Sequence, residues 1–196
     1  YLYVILSIQL IVFIGVQLIS INQHLLVGVD VGQGDATLVI SGNHVLLIDT
    51  GPVYPGFRRS LLPLINYYGI NFIDAVIITH HDYDHIGGLD DLLEVVDIGT
   101  VFSPSYLPLS NHHLVDSQVQ FSFGKGFCRI TSPQLFMIPK TTNNQSLIVD
   151  CDVNDTSFLI TGDSDQSVEL LAIRSGVITP VDALKLAHHG SRSSNS

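Results

Sequence analysis

The segment Thr79-His80-His81-Asp82-Tyr83-Asp84-His85-Ile86-Gly87-Gly88 puts four metal-binding side chains, His80, Asp82, Asp84 and His85, within six residues. It follows an apolar run at residues 75–78 and precedes a helical pattern, so the four converge at a strand-to-helix turn. Imidazole and carboxylate ligands together suit Zn²⁺, Mn²⁺ or iron. Gly87 and Gly88 let the backbone turn tightly beneath them. A helix cap would account for one aspartate, but not for two flanked by two histidines. A second apolar strand, Phe158-Leu159-Ile160-Thr161-Gly162-Asp163, ends in a carboxylate that can bridge two cations, one oxygen to each. A third, Leu184-Lys185-Leu186-Ala187, runs into His188-His189-Gly190-Ser191. Taken singly, a strand-end Gly-Asp is also a common turn, and a histidine pair is most often surface. Three strands ending in ligand-type residues point to a metal centre.

Composition agrees with an enzyme rather than a binding arm. The 196 residues carry nine histidines against eight Lys plus Arg, and seven of the nine fall in three clusters: His80, His81 and His85; His112 and His113; His188 and His189. Net charge is −10, with a sequence pI near 5.0. A dedicated nucleic-acid binder would show a basic stripe instead, although bound cations would let an acidic surface meet phosphates. Charged residues make up 13% and hydrophobic ones 46%, with mean hydropathy +0.38, which excludes a disordered chain or a coiled coil. Two cysteines, Cys128 and Cys151, are too few for a disulfide scaffold and are either free or paired.

Several elements must position these residues. Residues 1–20 hold no charge, and about 20 apolar residues span a hydrocarbon core of roughly 30 Å. No signal-peptide pattern is present. The expectation is a transmembrane helix, the end of a larger membrane region. Residues 24–31, 36–40 and 44–48 read as successive strands, separated by the turn-like Gly32-Gln33-Gly34-Asp35 and Ser41-Gly42-Asn43. Asp30, Gln33 and Asp35 either line the rim of the site or close turns, turns being favoured. Residues 58–68 have helical spacing with Gly69 as C-cap. A short helix at 89–95 and a strand at 99–102 follow. Residues 103–140 are irregular, with hairpin pieces at 119–123 and 127–130, and His112 and His113 read as exposed loop residues. A hairpin turns at Asn154-Asp155, and a helix covers 165–174. Strands in hairpins followed by alternating strands and helices imply an α/β chain with helices packed outside the sheet.

The ordered set HxDxDHxGG, TGD and KLxHHGS resembles the metallo-β-lactamase superfamily over residues 24–196. Asp30-Val31-Gly32-Gln33-Gly34-Asp35, Leu47-Ile48-Asp49-Thr50-Gly51 and Asn143-Asn144-Gln145-Ser146-Leu147-Ile148-Val149 are similar to the ComEC branch, the inner-membrane DNA-uptake proteins of natural competence. The resemblance implies an αββα sandwich over residues 22–196, cut short at the C-terminus after Ser196 and preceded by the helix at 1–20.

The resemblance also implies roles. His80 and Asp82 would ligate one Zn²⁺ or Mn²⁺ ion, Asp84 and His85 a second, and Asp163 would bridge them. His188 would complete the second site, leaving His189, with Asp84, for catalysis as proton donor or substrate contact. Asp49 would orient a ligand histidine through its other ring nitrogen. Lys185 and Ser191 would contact a phosphate. The sequence departs from the family twice: Asp82 stands for the middle His of HxHxDH, and no His lies at residues 143–146, where the first metal ordinarily gains one. The implied function is a phosphodiesterase that degrades the non-imported DNA strand, on the extracytoplasmic side of a bacterial inner membrane, with DNA, membrane and other competence proteins as partners. The alternatives are a membrane-anchored esterase resembling phosphorylcholine esterases and a non-catalytic module that guides DNA.

Overall fold

The computed structural model describes residues 2–21 and 24–195, with the backbone alone for residues 2 and 13–21. Strands β1 (His24–Gly28), β2 (Thr37–Ser41), β3 (His44–Ile48), β4 (Phe72–Ile77), β5 (Asp97–Ser103) and β6 (His112–Leu114) form one sheet in chain order. A second sheet runs β11 (Ala183–Lys185), β10 (Thr156–Ile160), β9 (Ile148–Val153), β8 (Gly126–Thr131), β7 (Gln118–Phe123).

The alternation of side chains along each strand builds the layers. On β2 and β3, Leu38, Ile40, Val45 and Leu47 face outward with Val76 of β4, against Phe57, Leu61, Ile65, Leu89 and Leu92. Phe57 and Leu61 lie in a π-helical stretch, Val53–Leu61, that runs into α2 (Leu62–Tyr68); α3 (Tyr83–Ile86) and α4 (Leu89–Leu93) follow β4. The intervening residues Val39, Leu46, Ile48, Ala75 and Ile77 face the second sheet, meeting Ile130, Val149, Phe158 and Ile160. Ile148 and Leu159 on its far side bury Ala172 of α5 (Gln166–Arg174). Helices therefore cover both outer faces of two stacked sheets. Gly69 ends α2 in the left-handed region, at φ 63°, as its capping role requires. Asn154 and Asp155 both take positive φ between β9 and β10, the backbone of a tight hairpin turn. Cys128 and Cys151 sit opposite one another on β8 and β9 and form a disulfide.

One expectation needs correction. His112 and His113 are not loop residues. They lie on β6, paired parallel to β5, and His112 Nε2 is 2.9 Å from Ser103 Oγ. The N-terminal segment is a helix, α1 (Leu2–Ile21), but no helix among the described residues is long and apolar enough to cross a membrane. The helix's side chains are described only for residues 3–12. The rest of the expected span lies outside the residues whose side chains are described. The described side chains are exposed, Val4, Leu6, Ile8 and Leu10 among them, and none joins a core cluster. Removal of residues 1–21 is therefore expected to leave the rest cooperatively folded, with a Tm within a few degrees of the whole chain. A non-cooperative melt of the shortened protein would show that α1 belongs to the core.

Candidate metal centre

The site lies at the carboxyl ends of β3, β4, β10 and β11, where the two sheets meet. Asp49 follows β3, His80 follows β4, Asp163 follows β10, and His188 and His189 follow β11. Parallel pairing of β3 with β4 and of β10 with β11 makes these ends point the same way. Asp49, His188 and His189 take positive φ, at 58°, 49° and 51°, a conformation that costs non-glycine residues about 1 kcal/mol or more and recurs at functional sites.

A buried polar network orients the first two histidines. The Thr79 backbone N–H and hydroxyl donate to the two oxygens of Asp49, each at 2.7 Å. With its hydrogen committed there, Thr79 Oγ1 accepts from His80 Nδ1 at 3.1 Å, which turns His80 Nε2 inward as a lone pair. His85 Nδ1 lies 2.8 Å from Asp49 Oδ2, and its Nε2 lies 3.2 Å from Asp163 Oδ1. Asp163 is fixed by its own N–H, which donates to Ser146 Oγ at 3.1 Å. Gly162 ahead of it needs to be glycine: at φ 54°, a Cβ would come within 2.8 Å of Thr79 Oγ1 and 2.9 Å of Ser146 Oγ. Ser146 and its neighbours thus brace the Asp163 turn from behind. Asn144 Nδ2 donates to Asp165 Oδ2 at 2.9 Å, and Asp165 in turn caps α5.

Three polar atoms inside this network, His80 Nε2, His85 Nε2 and Asp163 Oδ1, are buried and make no hydrogen bond of good geometry, although the last two lie 3.2 Å apart as an ion pair. His80, His85 and Asp163 offer ligand atoms that all lie within 4.8 Å of one another. Leaving such atoms unsatisfied is costly, and a cation among them would satisfy all three. Asp84, His85 and His189 form an adjoining group of the same kind, and Asp35, Asp163 and His189 a third. The donor set fits a divalent cation.

The remaining residues take distinct places. Asp82 stands at the N-cap of α3, yet its side chain makes no capping hydrogen bond; its Oδ2 lies 3.6 Å from His80 Nε2. His188 Nε2 is 3.8 Å from Asp163 Oδ2. It is His189 that reaches both Asp84 Oδ2, at 3.5 Å, and Asp163 Oδ2, at 3.8 Å. Lys185 Nζ is ion-paired with Asp35, and Ser191 Oγ bonds Ser193 Oγ at 2.9 Å. Two contributors escaped the reading of the sequence as site residues. Thr79 was recognised only as part of its motif, and Asp35, read as a turn former, reaches His189 Nδ1 at 3.4 Å. For Asp35 the one available signal was its charge in a glycine turn.

The electrostatics divide the ligands. Burial, with the neighbouring His85, holds His80 below the usual imidazole range, ready to bind as a neutral ligand. Burial opposes charge on His85 as well, but Asp49 and Asp163 outweigh it and raise the group to about 10. Burial likewise opposes charge on Asp163, but His85, His80 and His189 outweigh it and hold the carboxyl below its usual range. A divalent ion entering here must displace the His85 proton. Binding at pH 7 is therefore expected to release about one proton and to weaken as pH falls. Calorimetry in two buffers of different ionisation enthalpy counts that proton; no release on binding would remove His85 from the ligands.

Residues 29–196 match the family model of the metallo-beta-lactamase superfamily. Among curated proteins, the chain is 29% identical over 173 residues to Recombination protein 2 of Haemophilus influenzae, covering 85% of this chain and 21% of that protein. It is 29% identical over 168 residues to competence protein ComA of Neisseria gonorrhoeae, covering 85% of this chain and 24% of that one. ComE operon protein 3 of Bacillus subtilis is 27% identical over 197 residues, at 85% and 25% coverage. The chain thus spans a quarter or less of the length of these relatives, which are competence proteins of the ComEC family. Among solved structures, the subclass B3 metallo-beta-lactamase MEM-A1 superposes with a TM-score of 0.60 at 16% identity, over 84% of this chain and 76% of that one, a likeness of fold alone. With the family match running through every strand end that builds the site, the chain belongs to the metallo-beta-lactamase superfamily.

Proposed function

We propose that this chain is a metal-dependent phosphodiesterase that hydrolyses DNA within a competence DNA-uptake system, degrading the strand that is not imported. The observation that carries the reading is the convergence of three buried ligand-type atoms, His80 Nε2, His85 Nε2 and Asp163 Oδ1, within 4.8 Å of one another. These three residues would hold one divalent cation, Zn²⁺ or Mn²⁺, and Asp84 and His189 beside them offer ligands for a second. Asp82 lies on the half-exposed side of His80, where it would serve the first ion. Bound cations would supply a water of lowered pKa and neutralise charge on the phosphate.

Three of the chain's eight Lys and Arg side chains are engaged with carboxylates. Lys185 is ion-paired with Asp35, Arg58 with Asp91 and Arg129 with Asp150. That pairing speaks against Lys185 as a direct phosphate contact. Asp84 would contribute both a ligand and the negative charge that retains an ion. The half-exposed His188 ring would hand a proton to the departing alkoxide, a role the sequence pattern had assigned to His189. Ser191, on the same turn, would keep its place as a substrate contact.

We place residues 22–196 as the working unit, at the inner membrane of a bacterium and on its extracytoplasmic side, with DNA and other competence proteins as partners. The Cys128–Cys151 disulfide supports that side, because such bonds persist in oxidising compartments. The exposed apolar residues of α1 support a nonpolar neighbour.

The test uses the whole chain, titrated with Mn²⁺ and with Zn²⁺, against bis-p-nitrophenyl phosphate and a single-stranded oligonucleotide. Metal-dependent cleavage of both, lost in Asp84→Ala, is the expected result. Full metal occupancy without turnover of either would favour a DNA-guiding module. Turnover of a phosphorylcholine ester but not of DNA would favour an esterase.

A further inference from the structure

Two rings that face the centre through Nε2 have an oxygen hydrogen-bonded to the other nitrogen: His80 Nδ1 has Thr79 Oγ1, and His85 Nδ1 has Asp49. His189 meets the centre from the opposite sheet: its Nε2 faces Asp84 and Asp163, and its Nδ1 lies at ion-pair distance, 3.4 Å, from Asp35 Oδ1. His188 lies near Asp163 through Nε2 at 3.8 Å.

Asp35 is built in rather than loosely exposed. Only 8% of it is accessible, and its second oxygen is ion-paired with Lys185 of β11. Its backbone N–H donates to the Asp84 carbonyl at 3.1 Å. The preceding Gly34, at φ 133°, lies so close to Asp84 that a Cβ would fall 2.3 Å from that same carbonyl oxygen. One turn therefore touches both the backbone of one candidate ligand, Asp84, and the ring of another, His189.

We propose that Asp35 is the positioning residue for His189: its carboxylate, with the second oxygen pinned by Lys185, lies behind Nδ1 and holds the ring with Nε2 turned toward the space shared with Asp84 and Asp163, where a bound cation would meet it. The inference rests on the metal-centre reading for its consequence, but its structural claim stands on the ring alone. A neutral imidazole carries one proton, and placing it on Nδ1 leaves Nε2 free to bind. An acceptor behind a ligand histidine fixes ring orientation and raises ligand basicity. Lys185 pins the acceptor and, so engaged, is withdrawn from the substrate.

Two measurements on the whole chain test this. Nitrogen-15 NMR of the Zn²⁺-loaded protein reads the His189 tautomer directly. Nδ1–H with a metal-shifted Nε2 is expected in the native chain, and loss of that pattern toward Nε2–H in Asp35→Ala. Mn²⁺ titration is expected to show about 10- to 100-fold weaker binding in Asp35→Ala, with most of that loss recovered in Asp35→Asn, which keeps an acceptor oxygen. Lys185→Met breaks the same ion pair but leaves the acceptor, so its expected effect on Mn²⁺ binding is smaller; an equal loss would mean that only the ion pair's stability matters and would overturn the proposal. An Nε2–H tautomer in the native chain would overturn it too. So would equal losses in Asp35→Asn and Asp35→Ala with the tautomer unchanged, since Asp35 would then be a ligand itself. If the native chain binds neither Zn²⁺ nor Mn²⁺, the metal-centre reading fails, while His189 ring resonances that are the same in the metal-free native chain and in Asp35→Ala would still remove Asp35 as its positioning residue.

Discussion

Asp163→Asn is expected to lower metal-dependent hydrolysis on the order of 10³-fold, because ligand charge at such a centre is worth several kcal/mol and each 1.4 kcal/mol is tenfold in rate. The substitution keeps the shape of the side chain and its backbone bond to Ser146, so the turn should stand. What it removes is the negative charge between His85 and His189. Mn²⁺ affinity should fall in parallel, while the melting profile of the metal-free protein stays cooperative. The measurement is kcat/KM on bis-p-nitrophenyl phosphate beside a Mn²⁺ binding curve. Activity within tenfold of the native chain would mean that Asp163 does not serve the reaction.

Asp49→Ala is expected to destabilise the metal-free protein by about 3–5 kcal/mol, the usual cost of removing one partner of a buried ion pair. Asp49 is buried and receives three polar contacts, from the Thr79 backbone, the Thr79 hydroxyl and His85. Its loss would leave a buried imidazolium facing Asp163 alone. The pH dependence has a definite sign. His85 is raised from 6.5 to about 10 in the folded chain. Its pairing therefore contributes fully below about pH 6.5, the ordinary value, and that contribution is lost as pH rises through about 10. Denaturant unfolding of both proteins should show a gap that is widest at and below neutral pH and narrows toward pH 10. A pH-independent gap would assign the loss to the Thr79 hydrogen bonds instead.

The legible parts of the fold were those with a local signal. Strands β2 and β3 announced themselves by apolar runs around Ser41-Gly42-Asn43, and the β9–β10 turn by Asn154-Asp155, whose positive φ values suit Asn and Asp. β6 went unseen because three residues starting His112-His113 have no periodicity, and their strand character comes only from parallel pairing with β5. The π-helical stretch Val53–Leu61 was likewise hidden, since the helical spacing of residues 58–68 continues smoothly into α2. The N-terminal segment was legible as a helix and as apolar.

The sequence by itself determined which residue types end each strand: His80, Asp84 and His85 after one, Asp163 after another, and the histidine pair after a third. Those assignments follow from local chain chemistry, because an apolar run that stops at a carboxylate or imidazole must deliver it to the edge of a sheet. Only the tertiary structure decided which ring of His188-His189 reaches Asp84. That choice depends on two consecutive left-handed residues, held by the His188 N–H bond to the Gly162 carbonyl at 3.1 Å. It alone brought Lys185 to Asp35 across a separation of 150 residues. No sequence window holds such a pair, since their meeting follows from one sheet stacking on the other.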